Sequence, residues 1–320
     1  MDRPGALAAL RVAVRHFAGA YLPGADRWAV ALSGGPDSLA LTAVAAEALP
    51  TTALIVDHGL QAGSAVVAED ARRQALALGC VGAQVISVQV GSVGGPEAAA
   101  RAARYAALEQ IRDGAPVLIG HTLDDQAETV LLGLGRGSGG RSISGIRPYQ
   151  PPWCRPLLGV RRAVTVAACA ELGMTPWRDP HNTDRRFTRA RLRHEALPLL
   201  EDILGGGVAE ALARTAAALQ DDGDVLDGLA LRVLVEGRSG ATLPVAVLSP
   251  LPAALRRRVI RGWLLDGGAV RLTAKQITGV DALVTSWRGQ GGVAVGSELP
   301  GQRLFAGRRD GALLLYHESV

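Results

Sequence analysis

The stretch ALSGGPDSLAL, residues 31–41, sets two glycines and a proline between an apolar run and a helix-like segment. Upstream, WAVAL (28–32) is short, continuous and apolar, the pattern of a strand buried on both faces. Downstream, Ser38 to Leu49 reads as a helix. In the order strand, glycine turn, helix start, the turn's backbone N–H groups and the helix dipole favour the same ligand, an anion. Gly34 and Gly35 let the backbone approach a phosphate closely, while Ser33 and Ser38 supply hydroxyl donors. The loop lacks the lysine of GxxxxGK[ST], and its glycines do not fit GxGxxG.

Outward from this loop the alternation continues. TALIV (52–56), AQVISV (83–88) and VLIG (117–120) read as strands. Helical patterns follow them over 64–78, 96–112, with proline in the first turn, and 124–134. Such a series predicts an α/β fold, a Rossmann-like doubly wound parallel sheet. The rhythm breaks in GRGSGGRSISGIRPYQPP (135–152), a linker or a functional loop. Residues 205–235 read as mostly helical, with DDGD (221–224) offering a bend, and a domain boundary is expected near 220. Residues 1–220 would then form the catalytic domain. Residues 221–320, with PVAVL, helices near 251–265 and 273–287 and a final GALLLY strand, would form a second, smaller α+β domain.

The 320 residues are 48% hydrophobic and 20% charged, a globular composition. Cys80, Cys154 and Cys169 lie far apart, which argues against a disulfide framework or a cysteine metal site and fits a reducing cytoplasm. Residues 1–24 read as an amphipathic helix interrupted by Arg11, Arg15 and His16, not as a secretory signal, and no stretch reads as a membrane span. Net charge is only +4, but arginine is clustered. Arg136, Arg141, Arg147, Arg155, Arg161 and Arg162 fall in a segment without acids, and 183–193 adds five more against Asp184 alone. That is the footprint of a phosphate-rich partner, or else a solvated face in a chain whose only lysine is Lys275.

GHTLDDQAETVLLGLGRGSGG (120–140) begins where the fourth strand ends, the edge at which such sheets bind ligands. On a helix Asp125 and Glu128 share a face, and Asp124 stacks with Glu128. Thr122-x-x-Asp125 also fits a capping box, a purely structural reading. Asp57 and His58 end the second strand, the edge that would face a nucleoside, although Asp57 could simply cap its turn.

SGGxDS after a strand resembles the PP-loop of the N-type ATP pyrophosphatases. HTLDDQAET with the arginine-glycine-serine loop resembles the second signature, HHxxDQAET, of the tRNA(Ile)-lysidine synthetases. VDHGL (56–60), EAAARAARY (97–105), RPLL (155–158) and RDPHNTDRRFTRARLRHEALPLL (178–200) follow that family's order, so the resemblance spans about residues 28–200. Two departures stand out: Thr122 replaces the second histidine, and Arg189 lacks its usual asparagine neighbour.

The resemblance implies an ATP-dependent ligase. It would join free L-lysine to the wobble cytidine of the CAU-anticodon isoleucine tRNA through an adenylylated cytosine, releasing AMP and pyrophosphate. It implies ATP and Mg2+ as cofactors. Ser33, Gly34, Gly35, Pro36, Asp37 and Ser38 would bind ATP together with Asp57, His58 and His121. Asp37 would hold the metal with Asp124 or one of its neighbours. Asp125 and Glu128 would bind lysine and act as base, and Arg101 and Arg189 would neutralise the adenylyl phosphate or the tRNA backbone. Arg136 and Arg141 would face the anticodon stem, and LRRRVIRGW (255–263) the acceptor arm, unless it is a plain surface helix. Rival readings are a cytidine-thiolating PP-loop enzyme, a small-molecule ligase such as an NAD or GMP synthetase, and a non-catalytic RNA- or nucleotide-binding module. The oligomeric state stays open, a homodimer among the options.

Overall fold

A computed structural model of the chain describes residues 5–59, 63–91, 95–137, 139–297, 299 and 301–319. Leu60 of VDHGL and Ser138 of the arginine-glycine-serine loop lie outside the described residues. The chain divides into two compact units. One comprises Met1–Leu132 and Gly145–Thr215, the other Gly133–Ser144 and Ala216–Val320.

The first unit opens with α1 (Ala6–Tyr21), β1 (Trp28–Ala31), α2 (Pro36–Ala48), β2 (Thr51–Asp57) and α3 (Ser64–Ala77). Next come β3 (Gly82–Ser87), α4 (Pro96–Ile111), β4 (Val117–Ile119) and α5 (Leu123–Arg136). The short α6 (Gly140–Ile143) belongs to the second unit; back in the first, β5 (Tyr149–Gln150) and β6 (Trp153–Cys154) form a hairpin, followed by α7 (Arg162–Glu171). The sheet order is β3-β2-β1-β4-β6-β5, and every neighbouring pair is parallel except β5 with β6. The Rossmann-like arrangement expected from the sequence is therefore present, with an added antiparallel edge hairpin too short to show in the hydrophobic pattern.

Helix α2 explains how the sheet positions the loop. Leu39, Leu41 and Val44 are buried, and so are the small residues Ala40, Ala43 and Ala45 between them. A helix apolar on all sides must be covered on all sides, and α2 packs against the sheet as well as α1 and α7. Its N-terminus is thereby fixed at the end of β1.

Helices α8 (Thr188–Arg191) and α9 (Leu197–Leu204) flank a π-helical turn over Leu192–Ala196. Three consecutive left-handed glycines, Gly205 to Gly207, then end α9 before α10 (Val208–Gly237). No bend forms at DDGD: α10 runs unbroken through 221–224. One helical glycine costs about 1 kcal/mol, less than is gained by burying Ala216, Ala230 and Leu234 along the same helix.

In the second unit PVAVL spans the end of a strand and a helical turn. It supplies Pro244 to β7 (Leu243–Pro244) and forms the short α11 (Val245–Leu248). Then come α12 (Ala253–Asp266), β8 (Ala269–Val270), α13 (Ala274–Thr285), β9 (Val293–Ser297), β10 (Gln302–Arg309) and β11 (Ala312–Ser319). The sheet is antiparallel, ordered β7-β11-β10-β9-β8. Ile260, Leu264, Leu283, Leu304 and Leu313 fill a core of its own, an α+β unit as expected.

Candidate active site

The glycine loop is held by its own serines. Ser38 Oγ donates to the Gly35 carbonyl at 3.0 Å, accepts from the Ser33 amide at 3.2 Å and lies 3.1 Å from Ser33 Oγ. Gly34 is left-handed (φ 79°), and its carbonyl accepts from the Trp177 amide at 2.9 Å. Pro36 occupies the first turn of α2, where no N–H is required of it. Gly120, at the end of β4, is equally constrained: a Cβ there would come within 3.0 Å of the Asp37 and Ser38 backbone. The two sheet ends that carry the sequence motifs are thus packed backbone to backbone.

Asp37 from the loop and Asp125 and Glu128 from α5 converge on one guanidinium. Arg162 Nε donates to Asp37 Oδ2 at 2.9 Å, its Nη2 to Asp125 Oδ1 at 2.7 Å, and its Nη1 lies 3.8 Å from Glu128 Oε1. That Nη1 is buried without a hydrogen bond. Arg193 forms a second clamp on Glu128, at 2.7 and 3.1 Å, and reaches Asp125 at 3.5 Å. Arg189 stands 3.7 Å from Glu128. Thr165 Oγ1 donates to Asp37 Oδ1.

The carboxylates are not equivalent. Burial raises the proton affinity of Asp37 and Glu128 more than Arg162 and Arg193 lower it. Asp125 feels the same burial, but Arg162, His121 and two Thr122 hydrogen bonds of 2.8 Å hold it below the usual range. The same cluster pushes the Arg162 guanidinium well above its ordinary value. Asp125 uses its two oxygens differently: Oδ2 caps the start of α5 through the Thr122 amide, and Oδ1 faces the cluster.

Asp124 is engaged elsewhere. Its Oδ2 accepts the Arg162 backbone N–H at 2.7 Å, capping α7, and Oδ1 faces Arg161 at 3.4 Å. Asp57 Oδ1 accepts from the Gly59 amide at 3.0 Å, so it does cap its own turn. His58 and His121 each bury an Nδ1 without a hydrogen bond. Burial, together with Arg155, Arg104 and Arg101 and against Asp125, pushes His121 down to about 3. Burial and Arg104 likewise lower His58. Arg104 is itself lowered by burial and by the like charges of Arg101 and Arg189. Arg101 leans on Tyr105, its guanidinium 4.9 Å from the ring centre. The two imidazoles, both held low, and the arginines beside them form an environment attractive to an anion.

Arg162, Arg193 and Thr165 were not singled out from the sequence. Arg162 stood there only as part of a basic run, and nothing in spacing tells which of two adjacent arginines turns inward. Arg141 and the arginines of LRRRVIRGW belong to the second unit. Arg256 is buried on Asp281, and Arg257 pairs with the same carboxylate. That portion of the helix is structural.

The fold and its loop define a PP-loop ATP-binding protein, and the PP-loop domain family model matches residues 10–200. A second model, the TilS substrate binding domain, matches residues 243–313. The chain is 72% identical to a tRNA(Ile)-lysidine synthase of Mycolicibacterium paratuberculosis, over 100% of both chains. Identity is 70% to that of Mycobacterium tuberculosis, over 100% of both, and 61% to that of Nocardia farcinica, over 97% of this chain and 98% of that one. The chain belongs to the tRNA(Ile)-lysidine synthase family, whose members are ATP-using ligases. Among solved structures, a U34-tRNA thiolase from Methanococcus maripaludis with its [4Fe-4S] cluster shares the fold at TM-score 0.55 and 17% identity. That match covers 68% of this chain and 80% of the thiolase.

Proposed function

We propose that this protein forms lysidine, joining the ε-amine of free L-lysine to C2 of the wobble cytidine in the CAU-anticodon isoleucine tRNA, in the reducing cytoplasm. The observation that carries the reading is the convergence of Asp37, Asp125 and Glu128 beside an anion-binding loop. Loop and acids serve two half-reactions in one place.

In the first, the cytosine O2 attacks the α-phosphorus of ATP and the bond to pyrophosphate breaks. The turn from Ser33 to Ser38 and the start of α2 receive the leaving pyrophosphate, and Arg101 and Arg189 neutralise the adenylyl phosphate. Asp37 fits Mg2+: it is a hard oxygen donor, in the first turn of the loop helix, whose burial makes it gain from a cation. Among the described residues no group of three or more donors stands ready for a metal, but Mg2+ commonly takes one or two carboxylates and completes its shell with phosphates and water. Bound there, it would offset the charge of the pyrophosphate. Asp124 acts as the cap of α7 in this reading and not as a ligand.

The second half-reaction needs a neutral amine, and free lysine has a pKa of about 10.4. Environments that push paired carboxyls apart assign their roles. Asp125, held low, stays an anion and anchors the ammonium. Glu128, raised by burial, accepts its proton. The neutral amine then attacks C2 of the adenylylated cytosine, and the C2–O2 bond breaks to release AMP. Arg162 occupies the centre of the cluster until the substrate cation enters. A thiolase chemistry is disfavoured, because all three cysteines are buried, with thiols pushed up to about 11 for Cys80 and Cys169 and about 12 for Cys154.

The test is incubation with ATP, Mg2+, labelled lysine and unmodified CAU-anticodon tRNA, omitting each in turn. Label on the tRNA only in the complete mixture is expected. A folded, ATP-binding protein that transfers none would overturn the reading.

A further inference from the structure

The second unit carries a cationic cavity that no part of the reaction uses. It holds about 190 Å3 and is walled by Ala230, Leu231 and Leu234 of α10 and by three arginines. Asp227 Oδ1 accepts from both Arg141 of α6 and Arg258 of α12, the latter at 2.9 Å. One carboxylate oxygen thus holds two guanidinium forks in place. The third, Arg261, lies one helical turn beyond Arg258, is half-buried, and has no hydrogen-bond or ion-pair partner among the described residues. Three positive charges stand against one negative. On the same helix Arg256 and Arg257 are committed to Asp281, so the excess is confined to this cavity.

We infer that Arg141, Arg258 and Arg261 form a seat for one backbone phosphate of the tRNA, with Asp227 as the internal strut that preorganises it. The inference rests on the proposed function for the identity of the RNA. The size of the cavity limits the ligand. It falls below the roughly 300–1,000 Å3 of pockets for drug-sized molecules, so it suits a single phosphate of a longer polymer and not a whole nucleotide. Guanidinium forks match phosphate oxygens in pairs, and the exposed Leu231 (60%) offers an apolar face to the adjoining ribose. A half-buried cation without a hydrogen bond of its own is the group that gains most from such a partner, and burial together with Arg141 lowers its proton affinity more than Asp227 raises it.

Binding of the unmodified tRNA, measured across a salt series on the full chain, tests this. Arg261→Gln should weaken binding several-fold and reduce the slope of log affinity against log salt by about one, while Arg261→Lys keeps the slope. Asp227→Asn retains an oxygen for both guanidinium groups but removes the competing charge, so it should bind tRNA more tightly than the wild type. A merely structural network would lose affinity in both variants or in neither, and either result overturns the seat. If the wild type also fails to transfer lysine, the proposed function falls. If it transfers lysine while the variants bind as it does, the seat alone falls.

Discussion

Asp37 and Asp124 look alike in sequence, two acids each in the first turn of a helix, and the structure gives them different work. Asp37 faces Arg162 and Thr165 across the loop, whereas Asp124 spends its oxygens on the start of α7. Asp37→Asn should therefore cut pyrophosphate release by about 100-fold or more while tRNA binding persists. Asp124→Asn, which still accepts the Arg162 amide, should retain most activity, a contrast read in a pyrophosphate-release assay. Glu128 supplies a pH test. Its raised proton affinity means that its carboxylate is lost, as pH falls, earlier than that of an ordinary glutamate. Single-turnover lysine transfer should show that acid limb, and Glu128→Gln should remove it along with most of the rate. His121 makes the opposite prediction. Pushed down to about 3, it stays neutral in the native state while an unfolded imidazole protonates near about 6.5. It contributes stability above the unfolded value that is lost as pH falls toward 3, and its ring proton resonances should not titrate between pH 5 and 8.

At the scale of elements, side chains distant in sequence fasten the helix ends around the site. Glu171 of α7 accepts the Ala6 and Leu7 amides of α1 at 2.7 and 3.1 Å. Glu201 of α9 accepts the Val208 and Ala209 amides of α10 at 3.0 and 3.2 Å. Asp124 of α5 caps α7, so the acid-bearing helix and the arginine-bearing helix are tied at the site itself. Asp124→Ala should cost about 1 kcal/mol of stability, measurable as a lower urea midpoint, where Asp124→Asn costs less. None of these pairings was legible in the sequence, because a cap read from spacing looks only three residues ahead. The strands and helices of the first unit were legible, since each buried strand is a continuous apolar run. The hairpin β5–β6 was hidden inside a Gly-, Ser- and Pro-rich segment, and the bend at DDGD was overridden by burial along α10.

Over the whole molecule, charge and hydrophobic burial divide the labour. No helix among the described residues is long and apolar enough to cross a membrane, and the 34 basic side chains, all but one arginine, outnumber the acids by only four. Much of the arginine is consumed internally, at Asp281, Glu128, Glu195 and Glu210. The remainder should still make tRNA affinity steeply dependent on salt, falling more than about tenfold between 50 and 200 mM, as a filter-binding series would show. The sequence by itself determined the alternation of strands and helices from β1 to α5, the phosphate loop between β1 and α2, and the acids at the end of β4. Those follow from local rules of period, turn chemistry and helix dipole, which act within a few residues. Only the tertiary structure decided that Arg162 and Arg193, and not their neighbours in the same runs, close on Asp37, Asp125 and Glu128. It also set Asp124 to capping and split one arginine-rich helix between a buried pair at Asp281 and the cavity at Asp227. The orientation of a charged side chain depends on which distant elements pack around it, and that choice is made by the folded core. SGGPDS could be read as a cradle from its own residues, but its cationic partner had to come from a helix 125 residues away.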